Sequence, residues 1–248
     1  RKKKNFFIYF VIVIIGIIYL RTFKNQFTNW DDDIYVLNDP FIRSFSYENL
    51  KSIFTNYFIG NYHPLTLLTY SINYQISKLN PWSYQLFNIL LHLLNVYLVY
   101  VVIRSLLEIK IGFRDDRIIY ISSIVSLLFG ISTMQVESVA WVSERKNVLY
   151  GFFFLISIIF YLKYLRRGGY REYIISLLMF IMSLMSKGMA VSLSLSLVVI
   201  DYYLDRVLLS RKVIIEKVPY FILSLIFGII AIRAQREGGA MLWDLYLG

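Results

Sequence analysis

The chain has 248 residues, of which 58% are hydrophobic and 18% are aromatic. Its mean hydropathy of +0.58 lies far above that of soluble proteins and indicates an integral membrane protein. The chain contains no cysteine, which excludes disulfide bonds and thiol catalysis. A formal net charge of +10 is typical of basic cytoplasmic loops, so we expect membrane lipids and no nucleic acid among the partners.

Seven apolar runs predict membrane-spanning helices. In chain order they cover residues 6–20, 84–107, 118–132, 148–165, 173–185, 189–204 and 218–232. Several hold nearer to about 15 residues than the ~20 that a helix needs to cross ~30 Å of hydrocarbon, so we expect tilted or broken helices. The sequence therefore predicts an all-α fold, a polytopic membrane helix bundle of about seven spans.

Basic residues predict the orientation of these spans. Clusters lie before the first run and after the second, fourth and sixth runs: residues 1–4; Arg104, Lys110, Arg114 and Arg117; Lys163, Arg166, Arg167 and Arg171; Arg206, Arg211, Lys212 and Lys217. All four fall on one side if the N-terminus is cytoplasmic, as the positive-inside rule requires. Five basic residues then lie outside and need another explanation: Arg145, Lys146, Lys187, Arg233 and Arg236.

Residues 21–83 form an external loop in this topology. Within it, residues 47–57 and 64–76 carry apolar side chains at helical spacing, and Pro64 is tolerated in a first helical turn. We expect one or two short amphipathic helices that lie along the outer headgroups. A break at Asn80-Pro81 precedes the second span.

The loop begins with an acidic run, Asp31-Asp32-Asp33, next to Trp30. A solvated loop is the common explanation of such a triplet. Trp30 and Phe27, however, would hold the backbone at the membrane interface, where aromatic rings settle. A carboxylate there is less well solvated than in water, which makes it a stronger proton acceptor. Both interpretations stay open at this point.

Two histidines follow. His63 stands before a predicted helix start, where a capping or hydrogen-bonding role competes with a functional one. His92 lies inside a span with Asn88 and Asn95 at helical spacing, and this polar stripe is most simply a face that forms hydrogen bonds between helices.

The segment 134–147 carries an unusual number of charges for the mouth of two helices: Glu137, Glu144, Arg145 and Lys146. Either they face a polar cavity or they form a salt-bridged surface helix. Lys187 interrupts an otherwise apolar sequence, and such a residue is a functional candidate by default. The sequence has no HExxH, Walker-type loop or nucleophile elbow, which excludes the zinc and nucleotide-hydrolysis classes that depend on them.

Six stretches of this sequence, in the same order, resemble one family. They are WDDDIYVLNDP, GNYHPLTLLTYSINY, LNPWSYQLFNILLHLLN, VESVAWVSERKNVLYGFFFL, SLMSKGMAVSLSLSLVVIDYYL and EKVPYFILSLIFGIIA. Together they resemble the membrane half of the transmembrane-and-tetratricopeptide-repeat glycosyltransferases, O-mannosyltransferase-like members of the GT-C superfamily. The resemblance covers nearly the whole chain. It implies an integral-membrane, inverting glycosyltransferase that moves a sugar from a polyprenyl-phosphate lipid to a hydroxyl of a protein or glycan.

The resemblance also implies roles for particular residues. One member of the Asp31-Asp32 pair is the catalytic base. The candidates for binding the donor phosphate and substrate are His63, Glu137, Arg145, Lys146 and Lys187. No metal ligands are predicted, and a requirement for a divalent metal stays open. Relatives commonly carry a His-Pro-x-His run where this chain has residues 132–135, Ser-Thr-Met-Gln, so no role of those histidines carries over.

The family comparison sets two further expectations. Residues 1–248 are the N-terminal part of a GT-C-like membrane domain, and the later spans and tetratricopeptide repeats belong to a longer protein. The location is multi-pass in the membrane, either the bacterial inner membrane or, in a eukaryote, the endoplasmic reticulum.

Two other functional classes compete with the glycosyltransferase. A secondary transporter would use Lys187, His92 and Glu137 as relay residues inside the membrane. A non-catalytic scaffold would present repeat domains to partners. The ionisable residues cluster in or beside external loops, which favours chemistry at the membrane surface.

Cysteine labelling tests the predicted topology. A single cysteine at Asn56 is expected to react with a membrane-impermeant reagent applied to intact cells, because residue 56 lies in the external loop. Labelling that occurs after lysis but not in intact cells would contradict this orientation.

Overall fold

The computed structural model describes residues 6–112 and 115–238, and these residues are predominantly helical. Ten α-helices lie in them: α1 (Phe6–Tyr19), α2 (Tyr47–Thr55), α3 (Pro64–Ser77), α4 (Pro81–Ile111), α5 (Asp116–Ile131), α6 (Thr133–Ala140), α7 (Arg145–Arg167), α8 (Tyr170–Leu184), α9 (Leu193–Tyr203) and α10 (Arg211–Glu237). Short 3₁₀ turns at Leu20–Lys24, Phe41–Arg43, Val142–Glu144 and Gly188–Ser192, and a π-helical turn at Asp33–Leu37, connect them. Within the described ranges the only β-type pairing is one isolated bridge, between Phe58 and Asn61. The predicted all-α fold is confirmed.

Helices occupy all seven predicted spans. Four stretches are long and apolar enough to cross a membrane: Phe6–Lys24, Pro81–Ile111, Val142–Arg167 and Arg211–Glu237. The pair α5 and α6, bent by 59°, counts as a fifth if it is one span. Helix α8 has 15 residues, about 22 Å at 1.5 Å per residue, which is short of ~30 Å of hydrocarbon. An all-α membrane bundle fits these helices, and the number of spans stays a prediction.

Contacts at the helix ends show the relative directions of several helices. Phe7, near the start of α1, packs against Tyr120, near the start of α5, so these two helices begin at the same end of the bundle. At the opposite end, Lys187 follows α8 and donates to Asn147 at the start of α7. The loop residue Gly60 lies there too, against the end of α10.

Polar side chains join the helices inside the bundle. Ser157 of α7 and Ser176 of α8 each donate to the other's carbonyl oxygen, at 2.8 and 2.7 Å. Small hydroxyl residues allow this close approach of two helices. His92 lies 3.1 Å from the carbonyl oxygen of Gly130, and Asn95 donates to that of Val148 at 2.8 Å. The predicted role of the His92 stripe in hydrogen bonding between helices is confirmed.

A buried cluster of charges closes the end of the bundle where α7 stops. Asp201 of α9 accepts from Lys217 of α10 at 2.5 Å and from Arg206 at 3.0 Å. Arg206 also pairs with Glu216 at 2.7 Å, and the hydroxyl of Tyr161 donates to Asp201 at 2.7 Å. Two acids and two bases leave the cluster neutral, so it joins α7, α9 and α10 without a net buried charge.

The loop between α1 and α4 contains two short helices, α2 and α3, as predicted. Ser46 caps α2 by accepting from the backbone of Asn49, and Pro64 opens α3. Asn80 caps α4 immediately before Pro81, at the predicted break. The loop has a core of its own that includes Tyr35, Val36, Ile42, Ile53, Leu67, Tyr70, Tyr84 and Val142. This core fixes the loop on the ends of α4 and α7.

The buried charge cluster can be tested by removing one carboxylate. Asp201→Asn is expected to lower the free energy of unfolding by about 3–5 kcal/mol, because Lys217 remains buried without its counter-charge. Denaturant titration of the purified protein in detergent measures the change.

Asp205→Asn is the matched control. Asp205 pairs with Lys110, but its side chain is 79% exposed, and its left-handed φ of 56° suits asparagine as well as aspartate. A change of less than about 1 kcal/mol is expected. Equal losses in the two variants would contradict the structural role of the cluster.

Candidate functional site

The two candidate catalytic aspartates, Asp31 and Asp32, have different surroundings. Asp32 is fully buried. Its Oδ2 accepts from the backbone N–H and the hydroxyl of Thr28, at 2.9 and 3.1 Å. Its Oδ1 accepts from the backbone N–H of Ser143 at 2.8 Å and from the Ser143 hydroxyl. The two interactions with Ser143 fasten the acidic loop to the link between α6 and α7. All four together use most of the acceptor capacity of the carboxylate.

Asp31 faces the other way, toward a lysine. Its Oδ2 lies 3.3 Å from Lys146 Nζ, and its side chain is 24% exposed. No second ion pair of Asp31 occurs in the described residues, so the carboxylate keeps accessible acceptor capacity. The π-helical turn Asp33–Leu37 follows at once, and such turns are frequent at functional sites. Of the pair, Asp31 has the accessibility that a proton acceptor needs.

A row of alternating charges extends from Asp31 along the start of α7. Lys146 Nζ lies 2.9 Å from Glu144 Oε1, and Lys187 Nζ lies 3.9 Å from Glu144 Oε2. Asn147 donates to Glu144 and accepts from Lys187. Four charges from three segments of the chain therefore meet at one place.

The two lysines line a cavity of about 290 Å³. Its other walls come from the loop before α3, the turn before α9 and the end of α10, through Gly60, Asn61, Tyr62, His63, Gly188, Met189, Ala231 and Gln235. Two hydrogen bonds hold the loop wall to the lysine turn: Leu65 N–H donates to Met185 O at 3.1 Å, and the Thr66 hydroxyl donates to Ser186 O at 3.0 Å. The cavity is thus polar and cationic on one side.

His63 lines this cavity and is uncharged at neutral pH. Burial, together with the nearby positive charges of Lys146 and Lys187, lowers the pKa of His63 to about 3. The ring contacts Tyr35 edge-on at 4.9 Å, and its buried Nδ1 has no hydrogen-bond partner among the described residues. It does not cap α3 through its side chain. A neutral imidazole here can bind a hydroxyl group of a ligand.

Burial also lowers the pKa of Lys187, while the nearby carboxylate of Glu144 opposes that shift. This cation is therefore incompletely compensated by its surroundings, which favours the arrival of an anion.

Arg145 does not line the cavity, although it was predicted to bind phosphate. Its guanidinium is fully buried and donates to Asn88 Oδ1 at 2.8 Å, to Asn73 Oδ1 at 2.5 Å and to Tyr84 O at 3.0 Å. The Tyr70 ring lies 4.7 Å from the guanidinium carbon. The neighbouring lysine reaches the cavity because adjacent residues on a helix point about 100° apart.

Glu137 lies on α6 and acts on Lys187 through its charge, without an ion pair to any residue that the structure describes. The structure therefore brings together Asp31, His63, Lys146 and Lys187, with Glu137 nearby. Asp32 and Arg145 lie behind them as supports.

The sequence prediction omitted two members of the site, Glu144 and Asn147. The charge density of 134–147 indicated that something was there, but not which side chains would meet Lys187. Between residues 6–112 and 115–238, no group of three or more histidine, aspartate or glutamate residues is placed to hold a metal ion.

Comparison with known proteins locates the chain among relatives. No family model and no solved structure matches it. It is 34% identical to human protein O-mannosyl-transferase TMTC3 over 130 residues, which is 48% of the chain and 13% of that protein. The human TMTC2 enzyme is 34% identical over 110 residues, 44% of the chain and 12% of the relative. Human TMTC1 is 28% identical over 163 residues, with coverages of 60% and 17%.

The chain is similar to the TMTC protein O-mannosyl-transferases. This finding confirms the family resemblance over about half of the chain. The matched segments span only 12–17% of the length of these three TMTC proteins.

The neutral state of His63 has a consequence for stability that can be measured. In the unfolded chain the imidazole takes up a proton below a pKa of about 6.5, whereas the folded protein resists protonation down to about 3. Stability is therefore complete above pH 6.5 and falls as the pH decreases. Between pH 7 and pH 5 this residue is expected to account for a loss of about 2 kcal/mol.

The measurement compares the wild type with His63→Gln, by denaturant unfolding in detergent at both pH values. The variant is expected to lose about 2 kcal/mol less on acidification. His92 is present in both proteins, so its contribution cancels. Identical losses in the two proteins would contradict a buried, neutral His63.

Proposed function

We propose that the protein is a membrane glycosyltransferase that moves a sugar from a polyprenyl-phosphate lipid to an acceptor hydroxyl at the external membrane face. The observation that carries the proposal is the placement of the Asp31 carboxylate 3.3 Å from Lys146, one of two lysines that line the same cavity. Transfer requires a base for the acceptor and fixed cations for the leaving phosphate, held next to each other.

The reaction follows from these positions. The acceptor oxygen forms a bond to the anomeric carbon as its proton passes to Asp31, and the bond from the anomeric carbon to the phosphate oxygen breaks. Attack from the face opposite the phosphate inverts the anomeric centre. The lipid phosphate gains one negative charge as it leaves, and Lys146 and Lys187 stabilise that charge.

Three further residues, Asp32, Arg145 and His63, have supporting roles in this reaction. Asp32 holds the acidic loop to Ser143, and so fixes the direction in which Asp31 points. Arg145 anchors the start of α7 to α3 and α4 and positions Lys146. Neutral His63 adds no third cation and offers hydrogen bonds to the sugar hydroxyls.

The names of the relatives guide the choice of substrate. The TMTC proteins are named protein O-mannosyl-transferases, so mannose as the sugar and a protein hydroxyl as the acceptor are the substrates that we propose. A cytoplasmic N-terminus places the site outside, where a lipid-linked donor and a secreted acceptor meet.

The transporter alternative finds less support. His92 is held by the carbonyl oxygen of Gly130 and lies edge-on to the Tyr19 ring at 5.0 Å. Lys187 interacts instead with Glu144 and Asn147. A relay of Lys187, His92 and Glu137 would need these groups to be within hydrogen-bonding reach of each other.

The two aspartates provide the test. In the full-length protein, Asp31→Asn is expected to abolish transfer from a radiolabelled polyprenyl-phosphate sugar and to leave thermal stability unchanged, because an amide cannot accept the proton. Asp32→Asn is expected to lower the melting temperature as well, because a neutral amide weakens the bonds to Thr28 and Ser143.

Retained transfer by Asp31→Asn would rule out this base. The scaffold alternative expects the cellular role to survive both substitutions. A membrane-reconstituted transfer assay, run beside thermal melting of the same preparations, distinguishes these outcomes.

A further inference from the structure

Glu144 is the one carboxylate that touches both lysines of the cavity in the described part of the chain. Its contact with Lys146, at 2.9 Å, is a close ion pair, whereas its contact with Lys187, at 3.9 Å, is long. Asn147 donates to the same carboxylate. The Glu144 side chain is 12% exposed, so water screens these contacts only in part.

The charges of the four groups in direct contact sum to zero. Asp31 and Glu144 are acids, Lys146 and Lys187 are bases, and His63 is neutral at physiological pH. An anion that enters this cavity finds both lysines already in contact with a carboxylate. Binding of a phosphate therefore requires the lysines to exchange one negative partner for another.

Lys187 has the looser of the two contacts. Its Nζ donates to the neutral oxygen of Asn147, its ion pair with Glu144 is at the limit of such contacts, and its side chain lines the cavity. A small rotation would turn the ammonium group from Glu144 toward a ligand. Lys146, held by Asp31 and Glu144 together, is less free to move.

We propose that Glu144 competes with the donor phosphate for the two lysines. Before the phosphate binds, Glu144 contacts both Lys146 and Lys187. When the phosphate binds, Lys187 moves from Glu144 to the phosphate. The inference rests on the proposed function, in which these lysines receive the lipid phosphate. Asn147 keeps the displaced carboxylate close by. After transfer, Glu144 reclaims Lys187 and helps to expel the lipid phosphate, which carries one more negative charge than the donor did.

A competing role and a positioning role of Glu144 predict opposite changes in phosphate affinity. If Glu144 competes, Glu144→Gln binds phosphate more tightly, because the amide keeps its size and loses its charge. If Glu144 merely positions the lysines for the ligand, the same variant binds phosphate more weakly.

The experiment measures the binding of farnesyl monophosphate to the purified chain in detergent at low ionic strength, by isothermal titration calorimetry. Glu144→Gln is expected to bind about fivefold more tightly than the wild type, the scale of one partly exposed charge interaction. The difference is expected to shrink as sodium chloride is raised, because salt screens the competing charge. Glu144→Ala is expected to tighten binding in the same direction.

Two further proteins control the measurement. Glu48→Gln removes a carboxylate from the exposed surface of α2 and is expected to bind like the wild type. In Glu144→Gln/Lys187→Met the gain is expected to disappear, since it depends on the lysine that Glu144 releases.

In the transfer assay of the full-length protein, Glu144→Gln is expected to show a lower KM for the donor and stronger inhibition by polyprenyl phosphate. Unchanged or weaker farnesyl monophosphate binding by Glu144→Gln, with the wild type binding normally, would overturn the competitor and leave the proposed function intact. Absence of binding by the wild type would overturn the donor site on which both rest.

Discussion

The buried guanidinium of Arg145 is the interaction on which the site depends. A cation without exposure to water is costly unless its N–H groups are satisfied. Here they reach Asn88 and Tyr84 of α4 and Asn73 and Thr69 of α3. This set of bonds fixes the start of α7 against two other helices. Glu144, Lys146 and Asn147 lie within two residues of Arg145, so their positions follow from it.

Charged residues gather at both ends of the bundle, but with different physical character. The cluster around Asp201 and Lys217 is buried and is satisfied by two acids, two bases and a tyrosine hydroxyl. At the other end, Lys187 has a long ion pair beside a cavity, and Nδ1 of His63 has no partner among the described residues. Buried charges that are fully paired favour a structural role. Charges that are only partly paired and lie beside a cavity favour a site that binds an ion.

In the proposed reaction, the two neighbouring aspartates of the acidic loop have different roles. The carboxylate of Asp32 accepts hydrogen bonds from Thr28 and Ser143, and these bonds fix the position of the loop. Asp31, one residue earlier, keeps its carboxylate accessible beside Lys146. A base in a flexible loop would lose the alignment that transfer needs. The fixed residue therefore provides the geometry, and its neighbour has the freedom to accept a proton.

The sequence by itself determined the helices of the bundle and the two helices of the loop 21–83. It predicted as site residues a set of seven: Asp31, Asp32, His63, Glu137, Arg145, Lys146 and Lys187. Apolar periodicity and misplaced charge are local signals that survive without a fold. Only the tertiary structure decided that Asp32 and Arg145 point inward, and that Glu144 bridges two lysines. Consecutive residues on a helix point in directions about 100° apart, and which direction meets a neighbouring helix or a cavity depends on packing between segments far apart in the chain.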